Sequence, residues 1–184
     1  MKKITFFLTS LFFVAAVVAN ARADSYKYSP YIGADYTYDH TTAHGISPYH
    51  HAANIRIGSD YSRYFATELF LAQSSSNKRR PQNQTIKTSY RAYGLDLLAF
   101  LPLDSADRFS LLATTGVGEY VYKIREFSEN RHNEHGFGYR FGGGFKYALC
   151  DHLQLRFVTR YIKFNRLDKF NHAVEYTTGL EYHF

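Results

Sequence analysis

The 184-residue sequence has a single cysteine and no tryptophan, and neither charge sign forms a long block. An internal disulfide is therefore excluded. Cys150, in a predicted tight turn, is an incidental turn residue, a reactive thiol or one half of an intermolecular bridge. The longest basic run, at residues 78–80, is too short to indicate nucleic-acid binding. After the first 18 residues no apolar stretch approaches the roughly 20 residues of a spanning helix.

The N-terminus has the three parts of a secretory signal. Lys2 and Lys3 form a basic start, residues 4–18 are largely apolar, and Ala21-Arg22-Ala23 fits a small-x-small cleavage site. The sequence therefore predicts a cleaved signal peptide over residues 1–23 and one exported domain over residues 24–184. Removal of the signal leaves 19 basic against 16 acidic residues, a nearly balanced chain.

The rest of the chain alternates apolar and polar residues with a period of two, which is typical of β-strands with two unlike faces. In residues 136–149, for example, Phe141 and Tyr147 share one face while Arg140 and Lys146 share the other. Glu119 is an exception, because it falls on the apolar face, and either a bulge or an interfacial position would explain it. Eight strands are predicted, approximately at residues 30–38, 51–59, 64–74, 88–101, 109–122, 136–149, 153–164 and 172–184.

The connections between these segments alternate in length. Those at residues 39–50, 75–87 and 123–135 are longer than those at 60–63, 102–108 and 150–152, and the connection at 165–171 is the shortest of the outer set. This alternation is typical of membrane β-barrels, which have long outer loops and short inner turns. An even number of strands places both termini at the end with the short turns.

Periodicity alone does not separate a membrane barrel, which is polar inside, from a soluble barrel such as a lipocalin, which is apolar inside. Three features favour the membrane barrel. The polar face is rich in glycine, which suits a crowded interior. Tyrosines recur near strand ends on the apolar face, as an interfacial girdle requires. The charges of the polar face balance, with five of each sign. The predicted fold is an all-β, eight-stranded antiparallel transmembrane up-and-down β-barrel with a filled polar interior.

The balanced charges predict a network of ion pairs inside the barrel. Buried unpaired charges are costly, and eight strands leave an interior just wide enough for side chains. The hairpin between the last two strands should bring Arg160 close to Glu175 and Arg156 close to Glu181. The predicted interior network consists of Asp35, Arg56, Glu68, Asp96, Arg140, Lys146, Arg156, Arg160, Glu175 and Glu181.

The last predicted strand, residues 172–184, alternates apolar and polar residues and ends on an aromatic side chain. It resembles the closing strand of small bacterial outer-membrane β-barrels, the group of the OmpA membrane domain, OmpX and the opacity proteins. The resemblance implies an integral, monomeric protein of the bacterial outer membrane, in contact with its lipids and lipopolysaccharide. It also implies a signal for the barrel-assembly machinery, formed by Tyr176, Leu180, Tyr182 and Phe184.

This architecture carries several functions, so the role is not fixed by the fold. The leading hypothesis is a structural or surface-interaction protein that meets host or other surface ligands through its outer loops. A small channel and a lipid A-modifying enzyme are the alternatives.

Catalytic, cofactor and metal sites are not predicted. Ser89 and His172 are outward-facing candidates near the outer rim, but they lie on strands across the barrel, and no Ser-His-acid set converges. Several histidines in the predicted loops could bind a metal or simply be solvated: His40, His44, His50, His51, His132 and His135.

Overall fold

A computed structural model describes residues 28–43, 49–79, 86–125, 131–165, 167 and 170–184 of the chain. The predicted signal peptide, residues 1–23, lies outside the described residues. Within the described part, no helix is long and apolar enough to cross a membrane. The strands are β1 (Ser29–Ala43), β2 (Tyr49–Ser62), β3 (Phe65–Ser74), β4 (Asn77–Arg79), β5 (Ile86–Pro102), β6 (Phe109–Arg125), β7 (Arg131–Cys150), β8 (Leu153–Asn165) and β9 (Phe170–His183).

Eight of these strands close into a barrel in which every pairing is antiparallel. Neighbouring strands follow the chain order, β1 pairs with β9, and β3 pairs with β5 to complete the ring. The ninth strand, β4, is a three-residue extension that pairs with β5. The predicted eight-stranded antiparallel barrel is therefore confirmed. Tyr31 lies opposite His183, so the first and last strands meet at the end with the short turns, called here the inner end.

Several strands extend further toward the outer end than predicted. β6 and β7 remain paired up to Arg125 and Arg131, so most of the loop predicted at residues 123–135 is a continuing hairpin. β4 likewise lies inside the loop predicted at residues 75–87. Antiparallel neighbours continue their ladder because each added pair satisfies backbone donors and acceptors.

The two faces of the barrel are sorted as the alternation predicts. In β7, Arg140 is 1% exposed inside the barrel, whereas the next residue, Phe141, is 55% exposed outside. The outer surface therefore carries an apolar band, and the interior, called the lumen below, carries the polar side chains. Glu119 lies directly opposite Tyr93 and Phe137 in an unbroken register, so the bulge considered for it is wrong and it is an outward-facing residue.

Two apolar layers lie inside the lumen, one near each end. The outer layer is largely aromatic, and in it the rings of Tyr122 and Phe170 stack with centroids 4.2 Å apart. The inner layer consists of Ala66, Leu98, Phe100, Leu112 and Val158. Leu167, which lies between β8 and β9, is also buried in the outer layer. The charged side chains occupy the space between the layers.

Candidate functional site

The candidate site is the cluster of charged side chains in the middle of the lumen. Four arginines from three strands meet there, and each is at most 2% exposed: Arg56, Arg140, Arg156 and Arg160. A guanidinium so far from water is tolerated only when carboxylates accept its hydrogen bonds. Their partners therefore determine whether the lumen is a stable plug.

Glu68, on β3, is the centre of this cluster. Nη1 and Nη2 of Arg156 donate to its two carboxylate oxygens at 2.8 and 2.9 Å, a bidentate pair formed across the lumen. Nη1 of Arg56 donates to the same carboxylate at 3.2 Å, and the Tyr31 hydroxyl donates to it at 3.0 Å. A nitrogen of Arg160 lies 3.6 Å from it. One carboxylate thus neutralises charge from a neighbouring strand and from the far side of the barrel.

Arg56 links this centre to the first and last strands. Its Nε and Nη2 donate to the two oxygens of Asp35, both at 2.6 Å, and its Nη1 donates to Glu181 at 3.0 Å. Asn54 donates a further hydrogen bond to Asp35 at 2.9 Å. This guanidinium therefore contacts three carboxylates on three strands.

A second group lies toward the outer end of the network. Glu175 accepts hydrogen bonds from Arg140 and from Arg160, both at 3.1 Å. Asp96 lies 3.6 and 3.5 Å from the same two guanidinium groups. The Arg140 guanidinium also lies 3.7 Å from the centroid of the Phe70 ring, an arrangement that favours a cation–π contact.

The structure places all ten predicted network residues toward the lumen. Arg160 and Glu175 lie directly opposite each other in the register of β8 and β9. Arg156 lies opposite Gly179, its nitrogen is 3.8 Å from Glu181, and its short bonds go to Glu68 instead. The sequence indicated neighbours on adjacent strands, whereas the shortest pair of Arg156 crosses the lumen.

Two further lumen acids were assigned from the sequence to connections. Asp39 accepts a hydrogen bond from Thr41 at 3.0 Å, and Asp60 lies 3.5 Å from the ammonium group of Lys146. Both are buried, so they bring the network to seven acids against five basic residues, and the predicted equal balance is wrong. The two-residue alternation could have indicated them. Asp39 lies four residues after Asp35 and Asp60 four residues after Arg56, so each shares a strand face with a lumen residue.

Glycines on neighbouring strands make room for two of the carboxylates. A Cβ atom at Gly116 would overlap Oδ1 of Asp96, and one at Gly179 would overlap Oδ1 of Asp35. The glycine-rich polar face predicted from the sequence therefore has a steric cause at these positions.

We expect Gly116→Ala to lower the free energy of unfolding by about 1–3 kcal/mol, since it overpacks the lumen against Asp96. Gly143→Ala is the matched control on the outer face, where a Cβ would have one contact, at 3.4 Å. Urea titration of the refolded barrel in micelles measures both. Equal effects of the two substitutions would contradict a lumen limited by space.

The predicted loop position of the histidines is largely wrong. His40 lies in β1, His50 and His51 in β2, and His132 and His135 in β7, while His44 lies outside the described residues. His50 is buried inside the barrel and its neighbour His51 is exposed outside. Among the residues that the structure describes, no three His, Cys, Asp or Glu side chains are grouped to hold a metal ion.

The other candidates lie on the outer surface. Ser89 on β5 and His172 on β9 are four strands apart around the ring, so the structure does not bring them together. Cys150 is exposed at the end of β7, beside a register shift. The residues of the predicted assembly signal form an exposed outward row on β9 and just beyond it: Tyr176, Leu180, Tyr182 and Phe184.

The comparisons with known proteins agree with this geometry. The family described as "Outer membrane protein beta-barrel domain" matches residues 9–184. The chain belongs to this family. It is therefore an integral β-barrel protein of the bacterial outer membrane. Because such barrels have their short turns in the periplasm, the inner end is the periplasmic end. No curated protein matches the sequence.

Three solved structures show the same fold. Neisserial surface protein A has a TM-score of 0.72 at 13% identity, over 86% of this chain and 100% of that one. Ail of Yersinia pestis, in complex with the heparin analogue sucrose octasulfate, has a TM-score of 0.63 at 13% identity, with the same coverages. A major outer membrane protein from Thermus thermophilus has a TM-score of 0.65 at 9% identity, again with 86% and 100% coverage. The resemblance to small outer-membrane barrels is confirmed.

Proposed function

We propose that the protein is a non-conducting outer-membrane barrel with a structural or surface-interaction role. The observation that carries this proposal is the filled lumen. Glu68, Arg56 and Arg160 are each at most 1% exposed, although they lie inside a barrel whose ends face aqueous compartments. An open aqueous pore would leave such side chains hydrated.

The packing at the two ends explains this burial. On the outer side, Tyr90, Tyr120 and Tyr122 lie in one buried layer with Phe164 and Phe170. On the periplasmic side, Phe100 packs beneath the ammonium group of Lys146, which lies 3.8 Å from the ring centroid. Permeating ions would have to displace both layers and compete with the ion pairs between them, which supports a plug over a channel.

With the lumen filled, we place the interactions of the protein at its outer end. The barrel strands there continue beyond the apolar band, as the paired ends of β6 and β7 do. Ail, a protein of similar fold, is an attachment invasion locus protein and was crystallised with a heparin analogue. That likeness supports a surface-interaction role here, and the partner would be chosen by the chemistry of the outer connections.

The remaining steps of this proposal follow from the sequence. A cleaved signal over residues 1–23 would export the chain, and the barrel-assembly machinery would read the outward row that ends at Tyr182 and Phe184. The edge-to-face contact of these two rings, at 5.4 Å, presents a compact aromatic surface at the periplasmic rim. We propose a monomeric barrel in contact with outer-membrane lipid, without a cofactor and without an enzymatic activity.

We expect the purified protein to give no steady conductance in planar bilayers, because its lumen offers ions no hydrated path. An open porin inserted into the same bilayers is the positive control. Steady single-channel currents would overturn the plug in favour of the channel. Lipid A from cells expressing the barrel should keep its mass, and a change in that mass would instead favour the enzyme.

A further inference from the structure

One sector of the outer surface departs from the aromatic girdle. On β5 the apolar band ends at Tyr93, and the next outward residue is Arg91. Polar side chains also lie near this position on the neighbouring strands. Gln73 lies there on β3, Glu119 and Lys123 on β6, and His135 on β7, and these side chains are exposed or half-buried.

The register brings three of these residues around a single point. Arg91 lies opposite Val121, and Val121 lies opposite His135, so the three form one row across β5, β6 and β7. Lys123 follows two residues beyond Val121 on the same face. With strands about 4.8 Å apart, the backbones of Arg91 and His135 are about 10 Å apart. Their side chains and that of Lys123 therefore surround the half-buried Val121.

The Gln73 side chain on β3 holds Arg91 in place. Its Nε donates to Oε1 of Gln73. The Gln73 amide nitrogen in turn donates to the backbone oxygens of Ser74 and Tyr90, at 3.0 and 3.3 Å. Because the guanidinium is held through Nε, its two Nη groups form the end that a ligand would meet.

Glu119 holds His135 in a similar way. The Tyr93 hydroxyl donates to one oxygen of Glu119 at 2.7 Å, and Nδ1 of His135 lies 3.6 Å from the other. The imidazole is 59% exposed, whereas the carboxylate is 32% exposed. The carboxylate of Glu119 is therefore less exposed than the imidazole beside it.

An outward row on the far side of the barrel has a different composition. There the outward row across β9, β1 and β2 consists of Tyr176, Tyr38 and His51. The Tyr38 ring lies 6.5 Å from that of Tyr176 and 5.4 Å from that of His51. This is the ordinary aromatic girdle of a membrane barrel. The group formed by Arg91, Lys123 and His135 thus differs in composition from this aromatic row.

We propose that Arg91, Lys123 and His135 form a binding site for a phosphate group of an outer-leaflet lipid. The site lies on the lipid-facing surface immediately beyond the apolar band, which is the height of lipid headgroups. A guanidinium and an ammonium supply charge-assisted hydrogen bonds to phosphate oxygens, and an imidazole N–H can donate a further one. Because the three groups are continuous with the lipid-contacting face, we assign the phosphate to a lipid and not to a free anion.

The test uses the full barrel in phosphatidylcholine nanodiscs in magnesium-free buffer, with lipid A carrying two phosphates as the probe. Binding is measured by native mass spectrometry as retained lipid per barrel across a titration. Each cationic side chain replaced by glutamine should weaken binding about fivefold, the effect of one basic residue near an anionic surface. The variant combining Arg91→Gln, Lys123→Gln and His135→Gln should lose nearly all retention. Arg91→Lys should keep most of it.

Lys163→Gln is the matched control, because Lys163 is an exposed outward cation at the outer end of β8. It should leave the retention of lipid A unchanged.

Equal losses from Lys163→Gln and Arg91→Gln would overturn a local site and indicate general surface charge. Equal retention of dephosphorylated lipid A would overturn phosphate recognition. Displacement of the lipid by the same concentration of inorganic phosphate would overturn the assignment to a lipid. Unchanged resistance of the folded barrels to protease shows that the variants keep their structure.

Discussion

Replacing Glu68 with alanine should lower the free energy of unfolding by about 3–5 kcal/mol, the cost of leaving a buried charge without its partner. This carboxylate accepts both hydrogen bonds of Arg156 and one from Arg56, and it lies near Arg160. Its loss leaves three buried guanidinium groups with less compensation. Urea titration in micelles, followed by circular dichroism, measures the change.

A double-mutant cycle separates pairing from simple packing loss. Glu68→Ala and Arg156→Ala together should destabilise the barrel by less than the sum of the single changes, because they share one interaction. Arg160→Ala with Glu175→Ala provides a second cycle across β8 and β9. Thr114→Ser, an uncharged change on the lumen side of β6, is the control and should be mild. Additive effects in both cycles would show that water screens the charges and would favour an aqueous pore.

Arginine placed in the middle of the outer apolar band should also be strongly destabilising. Phe141→Arg on β7 and Leu97→Arg on β5 replace exposed apolar side chains on the lipid-facing surface. A cation at the bilayer midplane of a β-barrel costs about 2–4 kcal/mol, because the hydrocarbon offers it no partner. The same urea titration, in lipid vesicles, provides the measurement.

Asn133→Arg is the matched control for the arginine substitutions. Asn133 lies on the same strand and the same face as Phe141, but eight residues further toward the outer end, and it is exposed. Near the interface the cost of arginine falls to about 0–1 kcal/mol. If all three arginines were tolerated equally, the outward face would not be in contact with lipid.

The strands and their two faces could be predicted because they depend on local periodicity. Arg140 and Phe141 are adjacent, and a period of two is enough to send them to opposite faces. The strand ends were less predictable. Asp39 and Asp60 were assigned to connections, although each continues the alternation of the strand before it. The position at which strand pairing ends depends on the partner strand, which the local sequence does not specify.

The outer histidines and Glu119 show a second limit of the sequence. His135 was assigned to a loop and Glu119 was left between a bulge and an interfacial position. Their proximity follows from the register of β6 against β7. The cationic group formed with Arg91 depends on that register and on the pairing of β5 with β6, which join positions far apart in the chain.

The sequence by itself determined the barrel, its polar lumen and its membership of the outer-membrane class. These features depend on composition and on the alternation within each strand, which are local properties of the sequence. Only the tertiary structure decided the ion partners. The bidentate pair of Arg156 is with Glu68, five strands earlier, and not with Glu181 on the adjacent strand. Closure of the ring brings these side chains together across a narrow lumen. In that space, the lowest-energy pairing is set by three-dimensional reach and by the exclusion of water.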